Sequence, residues 1–327
     1  MKVLVTGASG FLGRAVAARV QAAGHEVRTF QRRPSAVPGV EDVRGSLTAA
    51  EDVDRAVVGV DAVVHLAAKV SLAGDPADFE RVNVQGTGTL LAAARRAGAT
   101  RFVQVSSPSV AHSGRSIVGD DALPAAPPRA RGHYARTKAR AELLALAADA
   151  DGLHVVAVRP HIVWGPGDTQ LVARVVARAR AGRLPLLDGG RALIDTTYVD
   201  NAAAAIAAAL ERAADDRVHG NAYVVTNGEP RPVAEMLAGI CNAAGVRTTR
   251  WSVPAVLART AGGVVEAVWR VRPGQDEPPM TRFLAEQLST AHWFDQRRTR
   301  ADLRWTPEVS IDEGLARLRA AASGGRA

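Results

Sequence analysis

The sequence predicts a doubly wound α/β fold: a parallel sheet with helices on both faces, followed by a smaller, mostly helical C-terminal lobe. Three observations predict it. Short Val-rich runs alternate with helical patterns through the first half of the 327-residue chain. Those runs are continuously apolar rather than alternating, as strands buried on both faces must be. Beyond Pro160 the strand rhythm gives way to longer helical stretches.

Each element follows from its local pattern. KVLVT (2–6) reads as a buried strand, and Phe11 to Ala23 as a helix stopped by Gly24. HEVRTF (25–30) is the second strand, and VEDVRGSL (40–47) contains the third. A helix over 51–58 leads to a fourth strand, DAVVHLAA (61–68). One long helix is expected from Phe79 to Ala97, closed by Gly98, before the fifth strand RFVQVSS (101–107). A helix over 134–148 precedes the sixth strand, HVVAVRP (154–160). IVWGPGD then reads as a turn-rich loop, 171–181 as a helix, GGRALIDTTYVDNAAAAIAAAL as strand then helix, and NAYVVTNGEP (221–230) as a further strand. Helices dominate from Pro232, with a break at Pro278–Pro279 and a frayed SGGRA tail. The apolar stretch 252–271 is interrupted by Arg259, Glu266 and Gly262–Gly263, which favours a packing helix or pocket wall over membrane contact.

Composition narrows the function classes. Apolar residues make up 47% and charged residues 23%, as in ordinary globular proteins. No run of 18 apolar residues occurs, so no transmembrane helix is expected, and the N-terminus lacks a signal-peptide layout. Cys241 is the sole cysteine, which suits a reducing cytoplasm. The net charge of +8 invites a nucleic-acid reading, but basic runs are not interleaved with aromatics and aromatics are only 4%. The expectation is no nucleic acid and a small anionic or lipophilic guest; a homodimer is compatible with the sequence.

TGASGFLG sets Gly7, Gly10 and Gly13 between the first strand and first helix. The turn needs free φ at the first glycine, the pyrophosphate needs close backbone approach at the second, and helix–sheet packing needs the third. With the helix N-terminus beyond, this is a dinucleotide cradle in a Rossmann setting, lined by Ser9, Phe11 and Leu12. An acid ending the second strand would accept from the ribose of NAD; here Arg32 and Arg33 stand instead, and a guanidinium forks onto a 2′-phosphate. NADP(H) is therefore expected rather than NAD(H), with Arg32 foremost. Residues 1–163, completed by about 195–228, are read as the dinucleotide-binding domain, and 164–194 with 229–327 as the substrate lobe.

YARTK places Tyr134 and Lys138 four residues apart on one helical face, in a chain with only three tyrosines and with lysine only at Lys2, Lys69 and Lys138. A neighbouring ammonium lowers a phenol's pKa, and a compact lysine head suits ribose hydroxyls better than arginine's fork. Ser106 and Ser107 close the fifth strand, where a parallel sheet opens to ligands; Ser107 is favoured as the hydroxyl that meets the substrate oxygen. His112 and His161 are lone histidines by sequence and are assigned packing or pocket-lining roles. Asp200 is expected to brace a strand–helix junction, and Trp164, Arg191 and Trp293 are pocket candidates.

TGASGFLG, HLAA (65–68), NVQGTGTLLAAAR (83–95), SS…YARTK, VRPHIVWGPGD (158–168) and TTYVDNAAAAI (196–206) together resemble the extended short-chain dehydrogenase/reductase superfamily, in its 3β-hydroxysteroid dehydrogenase-like branch. RARAGRLPLL, GEP, TRFLAEQLSTAHWF and EVSIDEGLARL are most similar to the bacterial 2-alkyl-3-oxoalkanoate reductases of olefin biosynthesis. The resemblance implies a catalytic set of Ser107, Tyr134 and Lys138, with Asn83 supporting a proton relay through water. It implies further cofactor contacts from Leu66, Ala67 and Ala68, and from Pro160 and Ile162 near the nicotinamide. Ser46 stands where many members carry an adenine-binding Asp, leaving Ser46 or the backbone of Leu47 for that role; Ala111–His112 replaces a Tyr-Gly common in sugar-nucleotide enzymes. The implied reaction is NADPH-dependent reduction of a long-chain β-keto acid. A steroid-type dehydrogenase, a sugar-nucleotide epimerase and a non-catalytic NADP(H) sensor are the alternatives.

Overall fold

The computed structural model describes residues 1–71, 74–112, 114–150, 152–248, 251–271 and 281–324. The expected break at Pro278–Pro279 lies outside these residues. The strands are β1 (Lys2–Thr6), β2 (Glu26–Gln31), β3 (Glu41–Arg44), β4 (Ala62–His65), β5 (Arg101–Val105), β6 (Ile117–Asp120), β7 (His154–Pro160), β8 (Val163–Trp164), β9 (Leu186–Leu187), β10 (Leu193–Ile194), β11 (Thr197–Tyr198), β12 (Ala222–Val225), β13 (Arg231–Pro232), β14 (Ser252–Val253) and β15 (His292–Phe294). The helices are α1 (Phe11–Ala22), α2 (Ala50–Val57), α3 (Pro76–Phe79), α4 (Gly86–Arg96), α5 (Gly132–Leu146), α6 (Leu171–Arg180), α7 (Val199–Arg212), α8 (Val233–Ala243), α9 (Ala255–Val271), α10 (Arg282–Ser289), α11 (Arg297–Leu303) and α12 (Ile311–Gly324).

Seven strands form one parallel sheet in the order β12-β7-β5-β4-β1-β2-β3. The order reverses direction at β1 and β4, opening a crevice beyond their carboxyl ends. Strand periodicity divides the core. Val3, Val5, Val64, Val103 and Val156 face α1 and α7, burying Val16, Val20, Ile206 and Leu210 with them. Leu4, Val63, Phe102 and Val155 face the opposite side, against Val53 of α2, Leu90 of α4 and Ala145 of α5. A third cluster joins Trp164 and Tyr198 to apolar residues of α6, α8 and α12.

The fold departs from the sequence reading in several places: β8 lies inside the stretch read as a loop, β15 lies in the region read as helical, and two further departures are larger. The expected helix over 79–97 is three pieces: α3, capped by Asp75 with Pro76 behind it, a π-helical turn at Glu80–Gln85, and α4. Residues 117–120, unassigned by pattern, form β6 of a second sheet ordered β13-β10-β15-β6. There β6 runs parallel to β15, which in turn pairs with β10. The apolar stretch 252–271 does pack, as expected, but by one side: Ala255 and Ala258 bury against Leu187 and Ala285. Gly262 admits α10 closely, since a methyl there would meet the Thr281–Arg282 backbone at 2.6–2.9 Å.

Candidate active site

The glycine turn is built for close approach. Gly7 has φ of +76°, and a methyl on it would strike the Ala67 backbone at 2.9 Å. A methyl on Gly13 would overlap the Gly7 carbonyl. Gly7 N donates to Phe30 O at 2.9 Å and Gly10 N to Gly7 O at 3.0 Å, closing the turn. The Gly10 N-cap offers α1 no side chain, and the first turn carries no acid, so the positive helix end stays available to phosphate. Ser9, Phe11 and Leu12 are half-buried beside it, the last two packed towards the Trp164 cluster. These residues fit a dinucleotide.

Arg32 and Arg33 are exposed just beyond β2 and form no ion pair among the described residues. The acid in this region is Asp42 on β3, and it is committed. It accepts from Thr29 Oγ1 at 2.9 Å, from Gln31 Nε2, and from Ser35 N at 3.0 Å. Ser46 bonds Thr48 Oγ1 at 2.8 Å while its amide donates to Asp52 at 2.9 Å, and Leu47 is buried. Ser46 thus sits in a turn, with its hydroxyl engaged locally.

At the carboxyl end of β5, Ser106 and Ser107 diverge. Ser106 is buried and its Oγ has no hydrogen-bond partner among the described residues. Ser107 is half-buried and caps the 3₁₀ turn Pro108–Val110. Its Oγ accepts from Ser109 N at 3.3 Å and Ser109 Oγ at 3.0 Å, leaving its own hydrogen to donate elsewhere. Helix α5 packs on that turn through Ala135 and Ala139 against Val110.

Tyr134 and Lys138 project from α5. Lys138 is buried, and Nζ donates to Val105 O at 2.6 Å, two residues before Ser107. Burial pulls its pKa down to about 8, against an opposing pull from Glu142. The Tyr134 phenol is pushed up to about 12 by burial. The sequence reading expected a lowered value. In the fold desolvation is the cause, and the ammonium's hydrogen bond goes to the Val105 carbonyl rather than the phenol.

Asn83 sits buried in the π-helical turn, a geometry common at functional sites. Its Oδ1 accepts from Lys69 N at 2.7 Å, and its Nδ2 donates to Lys69 O at 3.2 Å and Thr137 Oγ1 at 3.1 Å. The side chain therefore ties the segment after β4 to the helix bearing Tyr134 and Lys138.

A buried chain that sequence reasoning missed lies beneath. Leu66 N and Ala67 N each donate to Thr6 Oγ1 at 3.1 Å, and Thr6 meets His65 Nδ1 at 2.7 Å. His65 Nε2 meets Thr87 Oγ1 at 3.0 Å, and Thr87 donates to Asn83 O at 2.7 Å. Because Thr87 spends its hydrogen on Asn83, His65 must donate from Nε2 and accept at Nδ1. Burial holds His65 down at about 3, so it is neutral. Ala68, half-buried, continues from the pinned pair.

Past Pro160, Ile162 has φ of +46°, a costly conformation for a β-branched residue. Its neighbours hold it there: His161 N donates to Val225 O at 3.0 Å, and Thr197 N to Ile162 O at 3.2 Å. His161 is not isolated. It donates from Nδ1 to Asp195 O at 2.7 Å, and its ring meets His292, which meets His112. Asp200 is exposed and pairs with Arg317 at 3.3 Å; Asn201 braces the junction instead, through Glu308 N, Val309 N and Asn227. Trp164 is core rather than pocket, donating to Thr196 Oγ1 at 2.9 Å, while Arg191 is exposed and Trp293 half-buried over Gly119.

Residues 3–226 match the NAD dependent epimerase/dehydratase family. A 2-alkyl-3-oxoalkanoate reductase of Stenotrophomonas maltophilia is 42% identical, with 99% of this chain and 100% of that protein aligned. A 3-beta-hydroxysteroid dehydrogenase of Mycolicibacterium neoaurum is 32% identical, over 96% of this chain and 89% of its own. Among solved structures, the Thermus thermophilus UDP-glucose 4-epimerase complex with NAD superposes with a TM-score of 0.74 at 26% identity, covering 99% of each chain. No described helix is long and apolar enough to cross a membrane.

Proposed function

Since the chain belongs to the NAD dependent epimerase/dehydratase family of extended short-chain dehydrogenases/reductases and is an oxidoreductase that takes a nicotinamide cofactor, we propose that it reduces a 2-alkyl-3-oxoalkanoate to the 3-hydroxy acid with NADPH. The observation that carries the reading is α5. It sets Tyr134 and Lys138 one turn apart and seats the lysine on the strand end that leads into Ser107. The S. maltophilia relative, aligned end to end, supports the substrate class.

In this reading Gly7, Gly10, Gly13 and the α1 terminus hold the pyrophosphate, and Arg32 with Arg33 takes the 2′-phosphate. Leu66 to Ala68, Pro160 and Ile162 line the nicotinamide side. The bound cofactor supplies the hydride to the carbonyl carbon. Ser107 donates to the carbonyl oxygen and steadies its growing charge. Tyr134 then gives that oxygen its phenolic proton, and Lys138 offsets the negative charge left on the phenol. Asn83 positions α5 and supports a proton relay through water. Segments 164–194 and 229–327 take the alkyl chains.

The test is NADPH oxidation by purified protein against 2-alkyl-3-oxoacids, ketosteroids and UDP-sugars. Turnover of the first class is expected. Interconversion of UDP-sugars without net NADPH oxidation would replace the reading with epimerisation.

A further inference from the structure

Helix α9 is apolar on the wrong side. At 100° per residue, Val256, Leu257, Thr260, Ala261, Val264, Ala267 and Val268 fall within an arc of about 140°, and all seven are exposed. The large ones are far from core-like: Val256 is 70% exposed, Leu257 60%, Val264 60% and Val268 50%. The one hydroxyl in the arc, that of Thr260, is spent on Val256 O at 2.9 Å. No charged residue lies in this face, and none of the described residues covers it. Trp251, 48% exposed, stands just ahead of the helix.

Two occupants compete for such a face: a second copy of the chain and a lipid surface. Area argues against the first. A 17-residue helix is about 25 Å long, and a face about 10 Å wide gives about 250 Å². A stable protein pair needs about 800 Å² from each partner. Charge argues for the second. Trp251 O accepts from Leu186 N at 3.1 Å, where β14 joins β9. Arg183 and Arg191 flank β9 in the chain, both exposed and without an ion pair among the described residues. The nearby acid, Asp188, accepts from Ala255 N at 2.8 Å and keeps its one negative charge, against the two arginines. An apolar helical face with tryptophan and free arginines beside it matches the boundary of an anionic bilayer.

We infer that this protein docks on anionic membrane surfaces through the outer face of α9, with Trp251 in the headgroup layer and Arg183 and Arg191 on lipid phosphates. The inference is independent of the reaction proposed above, because its readout is binding. The experiment is co-sedimentation of full-length protein with phosphatidylcholine vesicles, with and without phosphatidylglycerol. Binding to the anionic vesicles is expected, weakening as salt is raised. Leu257→Asp with Val264→Asp should reduce it at least tenfold while leaving the circular dichroism spectrum and the urea midpoint unchanged. Val256→Ser with Val268→Ser gives a milder second variant, for which a several-fold loss is expected. Failure of the unaltered protein to bind would overturn the inference, as would unchanged binding by both variants. So would a dimer in sedimentation equilibrium that the aspartate variant splits, since the face would then belong to a second copy.

Discussion

Tyr134 offers a hydroxyl that no described residue engages, on a phenol pushed up to about 12. It is fully protonated at neutral pH, the form a reductase needs in a proton donor. Tyr134→Phe should therefore lower kcat by about 10²- to 10⁴-fold, with the NADPH dissociation constant essentially unchanged; retained turnover would remove the tyrosine from the mechanism. Lys138, brought down to about 8, loses its charge as the pH rises through that value. Reduction should stay level below about pH 8 and fall above it, as read in a kcat profile. Arg32→Ala should weaken NADPH by tenfold or more and leave NADH alone, by fluorescence titration; an equal effect on both would show that no 2′-phosphate is read there. The Tyr–Lys spacing and the glycines were legible because helical and turn geometry are local. The His65 chain was not, because it joins residues 59 and 22 positions apart.

At the scale of elements, α5 owes its placement to a pair hidden from sequence patterns. Glu142, one turn past Lys138, grips Arg159 of β7; Nε donates at 2.9 Å, and both side chains are buried. Arg159 also donates to Leu123 O at 2.6 Å. Removing one partner strands a buried charge, so Glu142→Ala should cost about 3–5 kcal/mol of stability, measurable by urea unfolding. A loss below 1 kcal/mol would mean that water reaches the site. The sequence pattern located every strand of the large sheet; burial on both faces writes itself into the valine runs of β1, β4, β5 and β7, while the exposed edge strand β3 was found from its place between turn and helix. It missed the π-helical turn, where the helical pattern continues unbroken, and β6, whose pairing partner β15 is remote in sequence.

For the whole molecule, buried histidines set the acid limit. His65 is held near 3, His112 and His161 near 4 and His292 near 2, all by burial, against an ordinary value of 6.5. A histidine depressed in the fold gives stability that is complete above 6.5 and is lost as pH falls towards the folded value. Asp195 acts oppositely: raised to about 6, it favours the fold below 3.8 and loses that benefit as pH climbs through 6. Four histidines outweigh one acid, so the urea midpoint should fall steadily from pH 6.5 to 4.5; a rise over that range would contradict the burial of the cluster. The second sheet carries a different consequence. A ribbon of main-chain bonds runs from β6, just after the Ser107 turn, through β15 to β10. Parting the molecule like jaws would unzip that ribbon first. Any hinge between the segment after Ser107 and the C-terminal lobe has to break those main-chain bonds, which ties the two together more firmly than side-chain contacts alone.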